Sequence, residues 1–196
     1  MTGFRLDKGG LIDRRRKIQF RYNGQQITGF KGDTIASALM ASGHMLVGRS
    51  FKYHRPRGIM SAGVEEGGAL FNTGDGAARV PNVKGTVTEI TEGLRVYSQN
   101  VFPSPGFDLG AVNGLIAPFI TAGFYYKTFM GPFANTKFWM LCERFIRRAA
   151  GLGQASREAD PSTYDIANGF CDALVIGSGP AAVSYTHLTL PTIPGV

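Results

Sequence analysis

Arg16–Gly43 reads RKIQFRYNGQQITGFKGDTIASALMASG, and two periodicities meet in it. From Arg16 to Thr28 the residues alternate. Ile18, Phe20 and Tyr22 fall on one face and Lys17, Gln19 and Arg21 on the other, as in a half-buried strand. Asn23-Gly24 follows, a pair suited to a two-residue hairpin turn because both turn positions need positive φ. After Gly32 the period changes. Ile35, Ala38, Leu39 and Ser42 share a face at helical spacing, Asp33 is placed as an N-cap, and Gly43 is placed to end the helix in the left-handed region. A hairpin followed at once by a short capped helix opens a β-grasp domain. The fold class expected is therefore α+β, with this domain over residues 16–98 behind a loose arm at 1–15. Its later strands are predicted at Leu46–Val47, Ala69–Phe71, Gly85–Ile90 and Leu94–Ser98, the last two forming a second hairpin around Thr91-Glu92-Gly93.

Residues 99–170 differ in character. They are rich in aromatic residues and proline early, helical later, and polar at the end. Phe138 to Ala150 puts Phe138, Leu141, Cys142, Phe145 and Ile146 on one side and Glu143, Arg144, Arg147 and Arg148 mostly opposite, the pattern of an amphipathic helix. Residues 152–170 read as a linker. Leu109–Tyr126 carries no charge and approaches the roughly 20 residues that span a bilayer, but it contains Asn113, Pro118, Thr121 and three glycines. That mix predicts a buried, irregular contact layer rather than a membrane helix.

A second motif begins at residue 171. The apolar run Ala173-Leu174-Val175-Ile176 leads into Gly177-Ser178-Gly179-Pro180-Ala181-Ala182, a G-x-G-x-x-A pattern directly after a strand-like stretch. Gly177 permits the tight turn, Gly179 lets a pyrophosphate approach the backbone, and Ala182 lets helix pack on strand. The segment 171–196 is thus expected to start a Rossmann-like α/β domain. Gly177, Ser178, Gly179, Ala181 and Ala182 are the candidate contacts to a dinucleotide such as NAD; a glycine-rich turn in any α/β protein is the competing reading. Beyond Val183 the β-branched residues and two prolines oppose a helix, and no acidic residue follows Asp172 to hold a ribose. SYTHLTLPT resembles translated sequencing-adapter read-through. The expectation is that residues 184–196 are artefactual and that the natural chain continues.

Composition narrows the function classes. Over 196 residues, 43% hydrophobic and 18% charged is globular. The net charge of +7 is scattered among Arg14–Lys17, Arg49–Arg57 and Arg144–Arg148, which does not make a nucleic-acid stripe. Cys142 and Cys171 are far apart, which excludes a disulfide framework or a metal site built from them alone. The first residues lack the apolar core of a secretion signal, and a cytoplasmic location is expected. Arg49–Ile59, RSFKYHRPRGI, is dense in positive charge. It suits either a grip on a phosphate or carboxylate or a loop that docks on a partner. His54 has no carboxylate or nucleophile near it in sequence, so general-base chemistry is not assigned to it.

RSFKYHRPRGI, the run SQNVFPSPGFDLGAVNGLIAPFITAGFYYKTFM, IRRAAGLG and CDALVIGSGPAA together resemble the N-terminal part of the alpha subunit of heterotetrameric sarcosine oxidases. The resemblance implies a ferredoxin-like [2Fe–2S] type of β-grasp domain. In related amine and proline dehydrogenase subunits the cysteine ligands lie in the loop after the basic stretch. Here that loop, Met60–Gly68, has no cysteine, so a cluster-less domain and no iron–sulfur cluster are expected. The resemblance further implies NAD on this subunit through the glycine motif. It also implies FAD on the beta subunit, FMN between alpha and beta, and tetrahydrofolate on a later part of alpha. The partners would be the beta, gamma and delta subunits. The implied reaction is oxidative demethylation of sarcosine to glycine, with O2 reduced to H2O2. No catalytic and no metal-binding residue is assigned in this chain, and the piece alone is expected to be inactive. Two other readings stay open: a non-enzymatic β-grasp interaction module, and a subunit of a related amine-, opine- or cyanide-forming dehydrogenase.

Overall fold

The computed structural model describes residues 4–115, 140, 143, 147, 151–160, 162–177 and 179–189. The chain divides into two compact units, Met1–Pro161 and Ser162–Val196.

The first unit is built on a five-stranded mixed sheet, which fits a β-grasp. Strands β1 (Asp13–Tyr22) and β2 (Gln25–Lys31) form the expected hairpin. Asn23 and Gly24 take φ of 48° and 84°, and the register pairs Tyr22 with Gln25 and Phe20 with Ile27. Helix α1 (Ile35–Ala41) follows, and its Ile35, Ala38 and Leu39 are fully buried. Burying the Ile35 and Leu39 side chains contributes about 1.5–3 kcal/mol each. Next come β3 (Gly48–Arg49) and β4 (Pro56–Arg57), a two-stranded ladder inside the basic loop, then β5 (Leu70–Thr73), β6 (Val80–Lys84) and β7 (Arg95–Ser98). The main sheet runs β2-β1-β7-β5-β6. Only the β1–β7 pair is parallel among these neighbours, with Tyr22 opposite Val96. The Tyr22 hydroxyl sits 2.6 Å from Ser98 Oγ, tying the ends of these two strands together. Phe20, Phe71, Val96 and Ile90 fill the core beneath α1.

The strand expected at Gly85–Ile90 is not formed. Its backbone serves the helix instead: Ile35 N donates to Thr88 O and Ala36 N to Gly85 O, both at 2.9 Å. These are first-turn amides that have no partner within the helix. The second hairpin joins β5 to β6, not the segments around Thr91–Gly93, although a turn does occur there, closed by Leu94 N to Thr91 O. Pro81 hides β6 from a sequence reading, yet an edge strand tolerates a proline. Predicted Leu46–Val47 lies just before β3. The N-cap is Thr34, in a capping box with Ser37, rather than Asp33.

Asp33 has a different role. It is 1% exposed, and its carboxylate accepts from Arg5 Nη1 and Nη2 (3.1 and 2.7 Å), Phe30 N (2.9 Å) and Ser37 Oγ (2.8 Å). Arg5 also lies 5.0 Å from the Phe30 ring centroid. The arm is therefore pinned to the β2–α1 corner, not loose.

In the second unit Ala173–Ile176 adopts no strand, and Leu174 and Ile176 are exposed. A strand needs a partner ladder, and no other strand lies among the described residues of this unit. Helix α2 (Pro180–Thr189) runs through the residues expected to oppose it. Pro180 at its start is compatible with helix geometry, and the next proline comes only after Thr189. Met140, Glu143 and Arg147 are helical, as expected for Phe138–Ala150; the remainder of that prediction, and of Leu109–Tyr126 past Leu115, lies outside the described residues. Leu109–Gly114 forms a short 3-10 helix. Among the described residues no helix is long and apolar enough to cross a membrane.

Removing the Asp33 carboxylate leaves Phe30 N–H and Ser37 Oγ without their acceptor and Arg5 without its partner. Asp33→Ala is expected to cost about 2–4 kcal/mol, and Arg5→Ala less, because Arg5 is partly solvated in the native state. Urea unfolding of the two variants checks the ranking.

Candidate functional site

The basic loop is held from inside. Arg49 donates from Nε and Nη2 to Pro105 O (2.8 and 2.6 Å) and from Nη1 to His54 O at 3.2 Å. Asn100 Nδ2 donates back to the carbonyls of Arg49 and Ser50. His54, at φ 51°, is buried with its Nδ1 2.7 Å from Asp108 Oδ2. Asp108 Oδ1 in turn accepts from Phe102 N at 2.9 Å and Gly110 N at 3.3 Å. The loop is thus fastened to residues 100–110 by side-chain to backbone bonds and one histidine–carboxylate contact. Arg55 and Lys52 lie over the Tyr53 ring, at 4.9 and 5.1 Å from its centroid.

Of the positive charges expected to grip an anion, Arg49 is already committed to carbonyls of its own chain. The carboxylate that His54 lacked in sequence is Asp108, 54 residues away. A lone Asp after a Pro- and Gly-rich stretch gives no local sign of that pairing.

Glu66 is the other group the sequence did not single out. It is 2% exposed, and its carboxylate accepts from Met60 N (2.6 Å), Ser61 N (2.7 Å) and Gly68 N (2.6 Å). Burial acts strongest on this carboxyl and pushes its pKa up. The amides of Ser61, Gly68, Met60 and Ala69 together outweigh burial and hold it below the ordinary 4.5. Lys84 Nζ donates to Val64 O and Thr86 Oγ1 to Gly63 O, fastening the same loop to the sheet.

At the glycine motif Gly177 has φ 122°, a conformation that favours glycine. A Cβ on Gly179 would meet nothing within 4 Å, so its backbone faces open space at the start of α2. Val183 N donates to Gly179 O at 3.0 Å, the first turn of the helix. Ala181 is exposed and Ala182 half-buried, while Ser178 lies outside the described residues.

A family model described as a 2Fe-2S iron-sulfur cluster binding domain matches residues 15–101. Sarcosine oxidase subunit alpha from Rhizobium meliloti (strain 1021) is 54% identical over 185 residues, which is 94% of this chain. The chain is similar to sarcosine oxidase subunit alpha. The same subunit from Corynebacterium sp. (strain U-96) is 30% identical over 90% of the chain. The chain spans 18% and 13% of the length of these two sarcosine oxidase subunits. A crystal structure of L-proline dehydrogenase from P. horikoshii overlaps 47% of the chain and 17% of its own, at 14% identity and a TM-score of 0.34, too loosely to bear on the reading.

A [2Fe–2S] cluster is held by thiolates. Both cysteines, Cys142 and Cys171, lie outside the matched residues 15–101, and the inward amides of the Met60–Gly68 loop already serve Glu66. The residues present do not fit such a cluster. Among the described residues no group of His, Cys, Asp and Glu is arranged to hold a metal ion.

The depressed Glu66 pKa fixes a sign. A carboxyl whose folded pKa lies below its unfolded value stabilises the fold fully above that unfolded value, about 4.5, and the contribution is lost as pH falls through the folded value. Arg49 and Arg57, with Glu65, line the cavity beside it. The thermal midpoint of the wild type should exceed that of Glu66→Gln near neutral pH. The gap should narrow as the pH is lowered below that unfolded value. Paired thermal scans across that range check it.

Proposed function

We propose that this chain is the opening part of the alpha subunit of a sarcosine-oxidising complex. The observation that carries the reading is the 54% identity to the Rhizobium meliloti subunit over 94% of the chain. In this reading the complex oxidises sarcosine to glycine, reduces O2 to H2O2 and passes the one-carbon unit to tetrahydrofolate. Flavins on the partner subunits and between subunits accept the electrons. That chemistry takes place outside these residues. The β-grasp domain serves as scaffold and docking body, and residues 99–170 contact the rest of the assembly. Exposed Phe102, Phe107, Leu109, Val112 and Leu115 on the described part of that segment favour such a contact layer. The complex is proposed to be cytoplasmic.

The second unit, in this reading, begins a Rossmann-like domain that binds NAD. Gly177, Ser178, Gly179, Ala181 and Ala182 would lie against the pyrophosphate at the start of α2, where unpaired amides and the helix dipole favour an anion. Gly177 supports this through its left-handed φ and Gly179 through its unobstructed backbone. The apolar run 173–176 would become a strand only when partner strands from the remaining length of the subunit are present.

Two measurements test the reading. The complete subunit, coexpressed with its partners, should produce H2O2 on addition of sarcosine; absence of that activity with every subunit assembled would sink it. In the same complex, Gly179→Val should weaken NAD binding about tenfold or more by calorimetric titration, since the loss of one charge-assisted hydrogen bond suffices for that. An unchanged affinity would remove Gly179 from the cofactor site.

A further inference from the structure

The loop 58–68 presents backbone amides inward from both of its arms. Met60 N and Ser61 N come from one arm and Gly68 N from the other, and all three point at one carboxylate. Inward-facing amides of this sort make a concavity for an anion, and iron–sulfur clusters are among the anions that such concavities hold. Met60, Glu65 and Gly68 stand at the x4 and x2 spacing of plant-type cluster cysteines, within the residues matched by the cluster-binding family model. None of the three can supply a thiolate. Ser61 Oγ, buried beside the amides, has no hydrogen-bond partner among the described residues. A cavity of about 370 Å³ borders the site, lined in part by Arg49, Arg57, Ser61 and Glu66.

We propose that this loop is an anion cradle of the cluster-binding kind whose resident anion is the Glu66 carboxylate, and that the cradle accepts a small free carboxylate once Glu66 is removed. The side chain enters from within the loop and reaches both arms, so it holds them together as a bound anion would. The buried Ser61 hydroxyl is a further donor suited to the same guest. This role is independent of the sarcosine reading, since it concerns only how the loop is closed.

The test uses the whole 196-residue chain. Thermal midpoints are measured for wild type, Glu66→Ala and Glu66→Gln in sodium formate and in sodium chloride at matched ionic strength. In chloride, Glu66→Ala should melt at least about 8 °C below wild type. Formate should restore at least half of that loss in Glu66→Ala while leaving wild type and Glu66→Gln, whose cradles are filled, unmoved. An undiminished midpoint in Glu66→Ala overturns the proposal, as does an equal formate effect on all three proteins. If Glu66→Ala does not accumulate folded, its refolding from urea decides: recovery of native fluorescence in formate and not in chloride supports the cradle, and no recovery in either overturns it. Stoichiometric iron and sulfide in anaerobically purified wild type would also overturn it, because cluster and carboxylate cannot share the amides.

Discussion

The carboxylate of Asp33 sits where three parts of the domain meet. It receives the amide of Phe30 near the end of β2, the hydroxyl of Ser37 in the first turn of α1, and the guanidinium of Arg5. Its own backbone carbonyl accepts from Ile90 N. A buried charge is tolerable only when its lone pairs are filled, and here they are filled by groups from separate segments. Satisfying that carboxylate joins the arm, the end of β2 and the start of α1, and the backbone carbonyl of the same residue ties in Ile90.

The same accounting explains the segment that does not become a strand. Gly85–Ile90 is rich in the β-branched residues that favour strands, but the carbonyls of Gly85 and Thr88 accept from the first amides of α1. The helix would otherwise bury its first amides without acceptors. A loop that closes another element's open valences leaves no trace in hydrophobic periodicity.

Legibility followed range. The hairpin was readable because Asn23-Gly24 and the flanking alternation are local, and α1 because its apolar spacing and Gly43 lie within a dozen residues. The order β2-β1-β7-β5-β6 was not readable, since it depends on pairings between distant segments. His54 with Asp108 and Glu66 with its amides escaped for related reasons. One is a contact across 54 positions. The other is a single carboxylate in a Gly- and Glu-rich loop, where the informative partners are backbone groups that every residue has. At the glycine motif, Gly177 has a positive φ that favours glycine while the preceding run stayed unpaired, because φ is a property of one residue and a strand is a property of two.

The parallel pairing of β1 with β7 has a consequence for synthesis. Tyr22 and Val96 are neighbours in space but 74 residues apart in the chain. As the polypeptide leaves the ribosome, β1 and β2 can form a hairpin early, yet one edge of β1 stays open until β7 has emerged. Non-local pairing of this kind is slow to form and leaves an unpaired edge exposed in the meantime. Arg14, Arg15, Arg16 and Lys17 lie along that strand. β7 covers only Arg21 and Tyr22, so like charges at the other end of the strand would disfavour pairing between two chains along the edge it leaves open.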